Sequence, residues 1–257
     1  MNLIPSYALV RHIPSSYPAL YEKVGKHISL QLAQSQHQEY VAALRAAGLQ
    51  VTFVDADVRL PDCVFIEDPA VVWGTHALIA RMPQDRSGEE DLVERALAIT
   101  HTINYLPSGA LLEGGDVFYT ENFTFVGVSS RTNQLGAEAV KDFMSKFNRR
   151  TIIVPVTKCL HLETGTTYIG NDTILVAPGL IDIAYFKGHN ILFTDENELN
   201  AANCLRVRNH LLIPAGYPRT QDTLLKFAAQ YNLKVVILNI SEFEKGDGSL
   251  TCLSLIW

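Results

Sequence analysis

Apolar positions recur at helical spacing in four stretches of the chain. Over residues 30–47, Leu32, Tyr40, Val41 and Leu44 fall on roughly one stripe, and Gly48 is placed to end the helix. Residues 89–100 repeat the pattern with Leu92, Ala96 and Ile99, behind an acidic first turn that suits a helix N-terminus. Residues 136–147 and 220–231 are further helices, and each leads into a β-branched strand, 151–154 and 235–238.

A second pattern runs between the helices. Five segments share a strand, a tight turn carrying Gly or Asn, and a second strand. Four of them are 63–80 around Gly74, 115–128 around Asn122, 166–177 around Asn171 and Asp172, and 203–214 around Asn209. The fifth begins near Leu250 and is completed only by the N-terminal run 6–11. Segments starting about 40 to 50 residues apart suggest a propeller-like or solenoid array closed by pairing the two termini. An ordinary α+β domain rich in hairpins fits the recurrence equally well. No Pro/Gly/Ser linker divides the chain, so residues 1–257 read as a single domain.

Composition narrows the function. The 257 residues are 47% hydrophobic and 19% charged, with net charge −6 and no basic block. That argues against nucleic acid as a partner and favours a cationic small molecule. The segment 96–112 lacks Asp, Glu, Lys and Arg, but His101, Asn104, Pro107 and Gly109 make it a poor membrane span. Met1 to Pro5 lack a basic region followed by an apolar run, so no leader is expected. The four cysteines (Cys63, Cys159, Cys204, Cys252) are too scattered for a disulfide framework. A reducing, cytoplasmic setting follows, and the N-x-[ST] matches at Asn122, Asn171 and Asn239 read as chance.

Dinucleotide, P-loop, nucleophile-elbow and zincin motifs are absent. No histidine pair has metal-ligand spacing; His161 and Glu163 could share a strand face, but two ligands are too few for a metal site. Four clusters remain. Asp62, Glu67 and Asp68 bracket an apolar run, and in a strand Asp62 and Asp68 would share a face. Glu113-Gly114-Gly115-Asp116 allows close backbone approach. His161 stands between Leu160 and Leu162, and Cys252 lies near the C-terminus after Gly246-Asp247-Gly248. Taken one at a time, a solvated loop, an ordinary turn, a core histidine and a buried cysteine explain them.

Taken together, they resemble one family. Residues 62–69, with Pro61 before them, resemble the P-D-x-V-F-V-E-D block of the dimethylarginine dimethylaminohydrolases, and residues 113–117 their [ED]-x-G-D turn. Arg131-Thr132-Asn133, Leu160-His161-Leu162, Ala201-Ala202-Asn203-Cys204, residues 214–220 and Asp247-Gly248-x-x-Thr251-Cys252 continue the match in order.

The resemblance implies a five-bladed α/β-propeller (pentein) of ββαβ modules. It also implies hydrolysis of Nω-methylated arginine to citrulline and an amine, with no cofactor and no metal, and leaves a homodimer open. Cys252 would be the nucleophile, His161 the acid and base, and Glu113 the carboxylate that orients His161. Asp68 would hold the guanidinium, with Glu67, Asp247 and the Gly246 carbonyl nearby. Arg131 and Arg86 would hold the α-carboxylate, Asp62 and the main chain at Leu20 the α-ammonium, and residues 14–26 would form a lid. Cys63, Cys159 and Cys204 would be packing residues in apolar strands. Three features depart from the family pattern: Arg86 aligns only through a one-residue gap, Glu163 stands where Lys is common, and the lid matches poorly. Arginine deiminases, which are usually longer, another guanidino hydrolase, and a non-catalytic propeller are the alternatives.

Overall fold

The computed structural model describes residues 4–257; Met1 to Leu3, part of the stretch read above as lacking a leader, lie outside it. The chain opens with β1 (Tyr7–Arg11), α1 (Tyr17–Glu22), α2 (Leu30–Ala46) and β2 (Gln50–Val54). Then follow β3 (Ala70–Trp73), β4 (His76–Ile79), α3 (Glu90–Leu97) and β5 (Thr102–Tyr105). The third unit is β6 (Val117–Tyr119), β7 (Phe123–Val128), α4 (Gln134–Ser145) and β8 (Arg150–Pro155). After α5 (Leu162–Gly165) come β9 (Thr166–Gly170), β10 (Thr173–Val176) and β11 (Asn190–Phe193). The last are β12 (Leu205–Val207), β13 (His210–Pro214), α6 (Pro218–Gln230), β14 (Lys234–Leu238), α7 (Ser241–Glu244) and β15 (Leu255–Ile256).

These strands make five three-stranded sheets, each an antiparallel hairpin extended by a parallel third strand. The five hairpins are the five segments read from sequence. The fifth closes as expected: β15 pairs antiparallel with β1, Leu255 opposite Leu9 and Ile256 opposite Ala8. The first strands of all five hairpins line one central cavity of about 190 Å³, through Val71, Phe118, Thr167, Leu205 and Ile256. They therefore surround a common axis, and the array is a five-bladed α/β-propeller, not a solenoid.

Local chemistry sets the helix ends. Asn133 caps α4, its side-chain oxygen accepting from Gly136 N at 2.9 Å and from Leu111 N at 3.1 Å. Pro218 opens α6, where Glu198 accepts from Thr220 N at 2.7 Å. The helix faces differ from expectation in detail. In α2, Tyr40, Val41 and Leu44 are buried, but Leu32 is exposed. The inner face of α3 is Val93 and Leu97, while Ile99 lies beyond the helix end and is 82% exposed. Burying such a side chain is worth roughly 1.5–3 kcal/mol, so these choices fix how each helix sits on its sheet.

Two expected strands are turns instead. Pro61 and Pro69 flank residues 62–68, and the N–H groups of Cys63 and Phe65 bond locally to the carbonyls of Leu60 and Asp62. Proline lacks a ladder donor, and turn bonds replace the strand. His161, read as a strand residue, is the N-cap of α5: its N–H donates to Thr164 Oγ1 at 3.2 Å. None of Cys63, Cys159 and Cys204 lies in a strand either; Cys63 and Cys204 are buried and Cys159 half-buried.

Candidate active site

Turns at one end of the axis carry the functional side chains. The Gly114-Gly115 turn passes so close to its neighbours that a Cβ on Gly114 would stand 2.0 Å from the Glu67 carbonyl. A Cβ on Gly115 would lie 3.0 Å from both Asp68 Oδ1 and His161 Nδ1. Glycine is required there so that Glu113, Asp68 and His161 can converge. Gly115 N–H donates to Asp68 Oδ1 at 3.1 Å, and Leu162 N–H donates to Asp116 Oδ1 at 2.9 Å, fixing the His161 cap.

His161 Nε2 lies 2.5 Å from Glu113 Oε2, and both side chains are buried. Burial works against the imidazolium, but the charge of Asp68 and the Glu113 hydrogen bond outweigh it and push His161 up to about 9. Cys252 sits half-buried on a short helical turn, and its Sγ accepts from Ser249 N at 3.4 Å. Burial, then the charges of Glu67 and Asp68, hold its thiol well above the ordinary cysteine range. The resting site thus pairs a thiol with an imidazolium.

Two cavities meet at this pair. One, of about 240 Å³, is lined by Asp62, Asp68, Arg86, Glu113, Arg131, His161, Gly246, Asp247 and Cys252, all named from the sequence. The other, of about 220 Å³, shares His161, Asp247 and Cys252 and adds Glu67, Glu163, Asn203 and Glu244. Leu20 lines neither; it is half-buried on α1 beside Tyr21, which does. Asp247 is more exposed than expected and pairs with Lys26 Nζ at 3.0 Å, tying the expected lid to the cysteine loop.

Arg86 differs from expectation. Its Nη1 lies 2.6 Å from Asp68 Oδ2, and Nε and Nη2 bond both oxygens of Glu89 at 3.1 and 2.7 Å. Nη2 also reaches the Phe65 carbonyl at 3.4 Å, so Arg86 is the buried counter-ion of Asp68, Glu89 and, at 3.5 Å, Glu113 before any ligand arrives. Arg131 is freer: Nη1 lies 3.1 Å from the exposed Asp85 and 3.6 Å from Glu113 Oε1. The other Glu113 oxygen serves His161, and Oε1 accepts no hydrogen bond.

Burial holds Asp62 raised, outweighing the Tyr21 hydroxyl that donates to it at 2.6 Å and the charge of Arg86. Arg86 and His161 overcome burial to hold Asp68 below the usual carboxylate range. Burial and the Asp68 charge push Glu67 up to about 7, and burial with Glu67 raises its hydrogen-bonded neighbour Glu163 further. Asp68, Glu113 and His161 offer ligand atoms within 4.8 Å of one another, as a metal site would. The Arg86 guanidinium, 2.6 Å from Asp68 and 3.5 Å from Glu113, already supplies the cation, so a metal ion there would be opposed electrostatically.

Sequence reasoning missed Tyr21, Glu89 and Asn203. Asn203 Oδ1 accepts from Thr251 N at 3.0 Å, and its Nδ2 donates to the Glu163 carbonyl at 3.0 Å, bracing the cysteine turn against the histidine helix. Its only signal was the Ala201-Ala202-Asn203-Cys204 match.

Comparison with known proteins agrees with this geometry. The family model for N,N dimethylarginine dimethylhydrolase, eukaryotic, matches residues 19–255. The chain is 31% identical over 226 residues to the N(G),N(G)-dimethylarginine dimethylaminohydrolase of Pseudomonas aeruginosa, covering 87% of each chain. It is 32% identical over 255 residues to that of Streptomyces coelicolor, covering 96% of this chain and 95% of the relative. A cysteine-to-serine mutant of the Pseudomonas aeruginosa enzyme, solved in complex with citrulline, superposes with TM-score 0.90 at 28% identity, over 99% of this chain and 100% of the other. The N-terminal domain of ArgZ, a cyanobacterial arginine dihydrolase, shares the fold with TM-score 0.84 at 19% identity, over 97% and 96% of the two chains. A cysteine, a carboxylate-held histidine and a ring of carboxylates and arginines thus stand at one end of a five-bladed propeller, and the chain belongs to the dimethylarginine dimethylaminohydrolase family of guanidino-group-modifying enzymes.

Proposed function

We propose that this protein hydrolyses Nω-methylated L-arginine to L-citrulline and methylamine or dimethylamine, with Cys252 as covalent nucleophile. One observation carries the reading: Cys252 and His161 share a cavity whose walls are carboxylates near the sulfur and a partly free arginine, Arg131, beyond them. That layout suits an amino acid with an anionic head and a cationic tail.

Arg131 binds the α-carboxylate with planar donors, and the one uncommitted N–H of Arg86 assists. Asp62 receives the α-ammonium, and Tyr21 holds Asp62 in place. The guanidinium then lies over Cys252 against Asp68 and Glu67. Its positive charge lowers the thiol pKa, so the thiol gives up its proton to solvent and the thiolate forms only once substrate is seated. Sulfur attacks Cζ, the bond to the substituted nitrogen breaks, and protonated His161 supplies the proton that leaves with the amine. An S-alkylthiouronium remains on Cys252. Neutral His161 next takes a proton from water; hydroxide adds to Cζ, the C–S bond breaks as the hydroxyl proton passes to the departing sulfur, and citrulline departs with the thiol and the imidazolium restored. Glu113 keeps the imidazole aligned through both halves. A guanidinium yields no oxyanion, so anions, not an oxyanion hole, stabilise the transition state.

The reading places the enzyme in a reducing cytoplasm, where Cys252 stays reduced, and includes a homodimer, which sedimentation can check. No described helix is long and apolar enough to cross a membrane. Citrulline release from dimethylarginine, monomethylarginine, arginine and agmatine tests the function. Turnover of the methylarginines should exceed that of agmatine, which lacks the α-carboxylate, by at least about tenfold. No citrulline from any methylarginine would refute the reading.

A further inference from the structure

At the end of the axis opposite Cys252 lies a larger cavity, of about 530 Å³, that the chemistry above does not use. Its charged side chains are Arg149, Arg206 and Arg208, with Glu121 the one side-chain carboxylate; its apolar walls include Trp73 and Trp257. We infer that this rear cavity is a second binding site, for an aromatic anion of about mononucleotide size, with the open donors of Arg206 and Arg208 on its charge, the hydrogen-bonded Arg149 adding its field, and the indoles against its ring.

Three arginines against the Glu121 side chain and the main-chain carboxylate of Trp257 still leave an excess of positive charge in a chain whose net charge is −6. Among the described residues none of the three is ion-paired; the four arginines that are paired lie elsewhere. The Glu121 carboxylate accepts from the Tyr168 hydroxyl, and its carbonyl accepts from Arg149. Main-chain carbonyls hold the guanidiniums instead. Arg149 Nη2 donates to Thr120 O at 2.8 Å, Arg206 Nη1 to Ile169 O at 3.2 Å, and Arg208 Nε to Pro5 O at 2.8 Å. These contacts fix position without cancelling charge. Arg206 engages two of its N–H groups and Arg208 two, out of the five a guanidinium carries, so donors remain for a ligand.

Burial disfavours the charged forms of Arg149 and Arg206, a penalty that an incoming anion would relieve. The Arg149 guanidinium already stacks on Trp73, with its carbon 4.3 Å from the ring centroid, which holds one face of the indole and leaves the other for a ligand ring. Size agrees: small-molecule sites usually measure about 300–1,000 Å³ and combine apolar walls with a few fixed polar groups.

The test is direct because Trp73 and Trp257 are the only tryptophans of the chain and both line the cavity. Adenosine monophosphate, inorganic phosphate and adenosine are titrated at constant ionic strength, read by tryptophan fluorescence and by calorimetry. The nucleotide should bind saturably, with Kd below about 1 mM, at least tenfold tighter than either fragment. Arg206→Gln or Arg208→Gln should weaken it at least tenfold. Arg208, exposed at the rim, serves if Arg206→Gln does not fold. Cys252→Ser should leave the binding unchanged, which separates this site from the catalytic one. No saturation by 10 mM (roughly tenfold above the expected Kd), or equal affinity in the folded arginine variants, would overturn the inference. Phosphate binding as tightly as the nucleotide would overturn its aromatic half.

Discussion

Replacing Glu113 by Gln removes the charge that faces His161 while keeping the shape of the side chain. In the native site that carboxylate is 0% exposed and lies 2.5 Å from Nε2, and His161 is pushed up to about 9. Losing one close, buried counter-charge lowers a pKa by about 1–3 units, so the imidazole should titrate near 7, with Asp68 still opposing burial. The kinetic consequence is specific. His161 must be protonated to release the amine, so kcat/KM of the native enzyme should fall on a basic limb near pH 9. In Glu113→Gln that limb should move at least one unit lower, and kcat should drop further because the imidazole is no longer aligned.

Stability should follow the same titration. His161 is raised when folded, so its contribution is full below the unfolded value near 6.5 and is lost as pH rises from 6.5 through about 9. At one pKa unit per 1.36 kcal/mol the shift amounts to about 3 kcal/mol, and breaking a buried pair costs about 3–5 kcal/mol. Denaturant melts at pH 6 should therefore show Glu113→Gln several kcal/mol less stable, with the gap narrowing toward pH 9. A basic limb that stays in place, or a gap that does not depend on pH, would refute the assignment of Glu113.

Three further perturbations probe the rest of the site. Arg131→Lys should raise KM for methylarginine roughly tenfold with little change in kcat, since a planar fork becomes a point charge; an unchanged KM in steady-state assays would remove Arg131 from substrate binding. Gly115→Ala places a Cβ 3.0 Å from both His161 Nδ1 and Asp68 Oδ1. That should lower kcat by tenfold or more while far-ultraviolet dichroism stays native, and wild-type turnover would contradict the packing argument. Asp68→Asn leaves Arg86 without its 2.6 Å partner. It should cost about 3–5 kcal/mol in denaturant melts and shrink the advantage of a cationic haloacetamidine over a neutral haloacetamide in alkylating Cys252; alkylation ratios equal to wild type would exclude Asp68 from the guanidinium pocket.

The propeller was legible because its signals are local. Each hairpin announces itself by two short apolar runs around Gly74, Asn122, Asn171 or Asn209, and the need to complete the last one called for β1. The four longer helices were equally plain, unlike the short α1, α5 and α7, and single face positions were misread: Val93 and Leu97 join the half-buried Leu92 and Ala96 on the inner side of α3, while Ile99 lies beyond its end. The turns at 62–68 and at His161 imitate strands in sequence, since Val64-Phe65-Ile66 and the leucines on either side of His161 are short apolar runs, and only the prolines at 61 and 69 and the Thr164 hydroxyl separate the two conformations. The resemblance brought together Cys252, His161, Glu113 and the carboxylates. It did not reveal that Arg86 is already committed to Asp68 and Glu89, that Tyr21, not Leu20, lines the cavity, or that Asn203 braces the cysteine turn. The Asp68 and Asn203 contacts join residues far apart in the chain, and the Arg86–Glu89 pair, although local, precedes α3 and leaves no periodic trace.

Covalent capture tests the central claim most directly. His161→Gly should still bind methylarginine, and with its acid and base removed it should stall after sulfur has attacked an activated substrate such as S-methyl-L-thiocitrulline, whose thiol leaves without a proton donor. Intact-protein mass spectrometry should find one added thiouronium group, peptide mapping should place it on Cys252, and the Cys252→Ser background should abolish it. An unmodified protein, or an adduct on any other residue, would contradict the account.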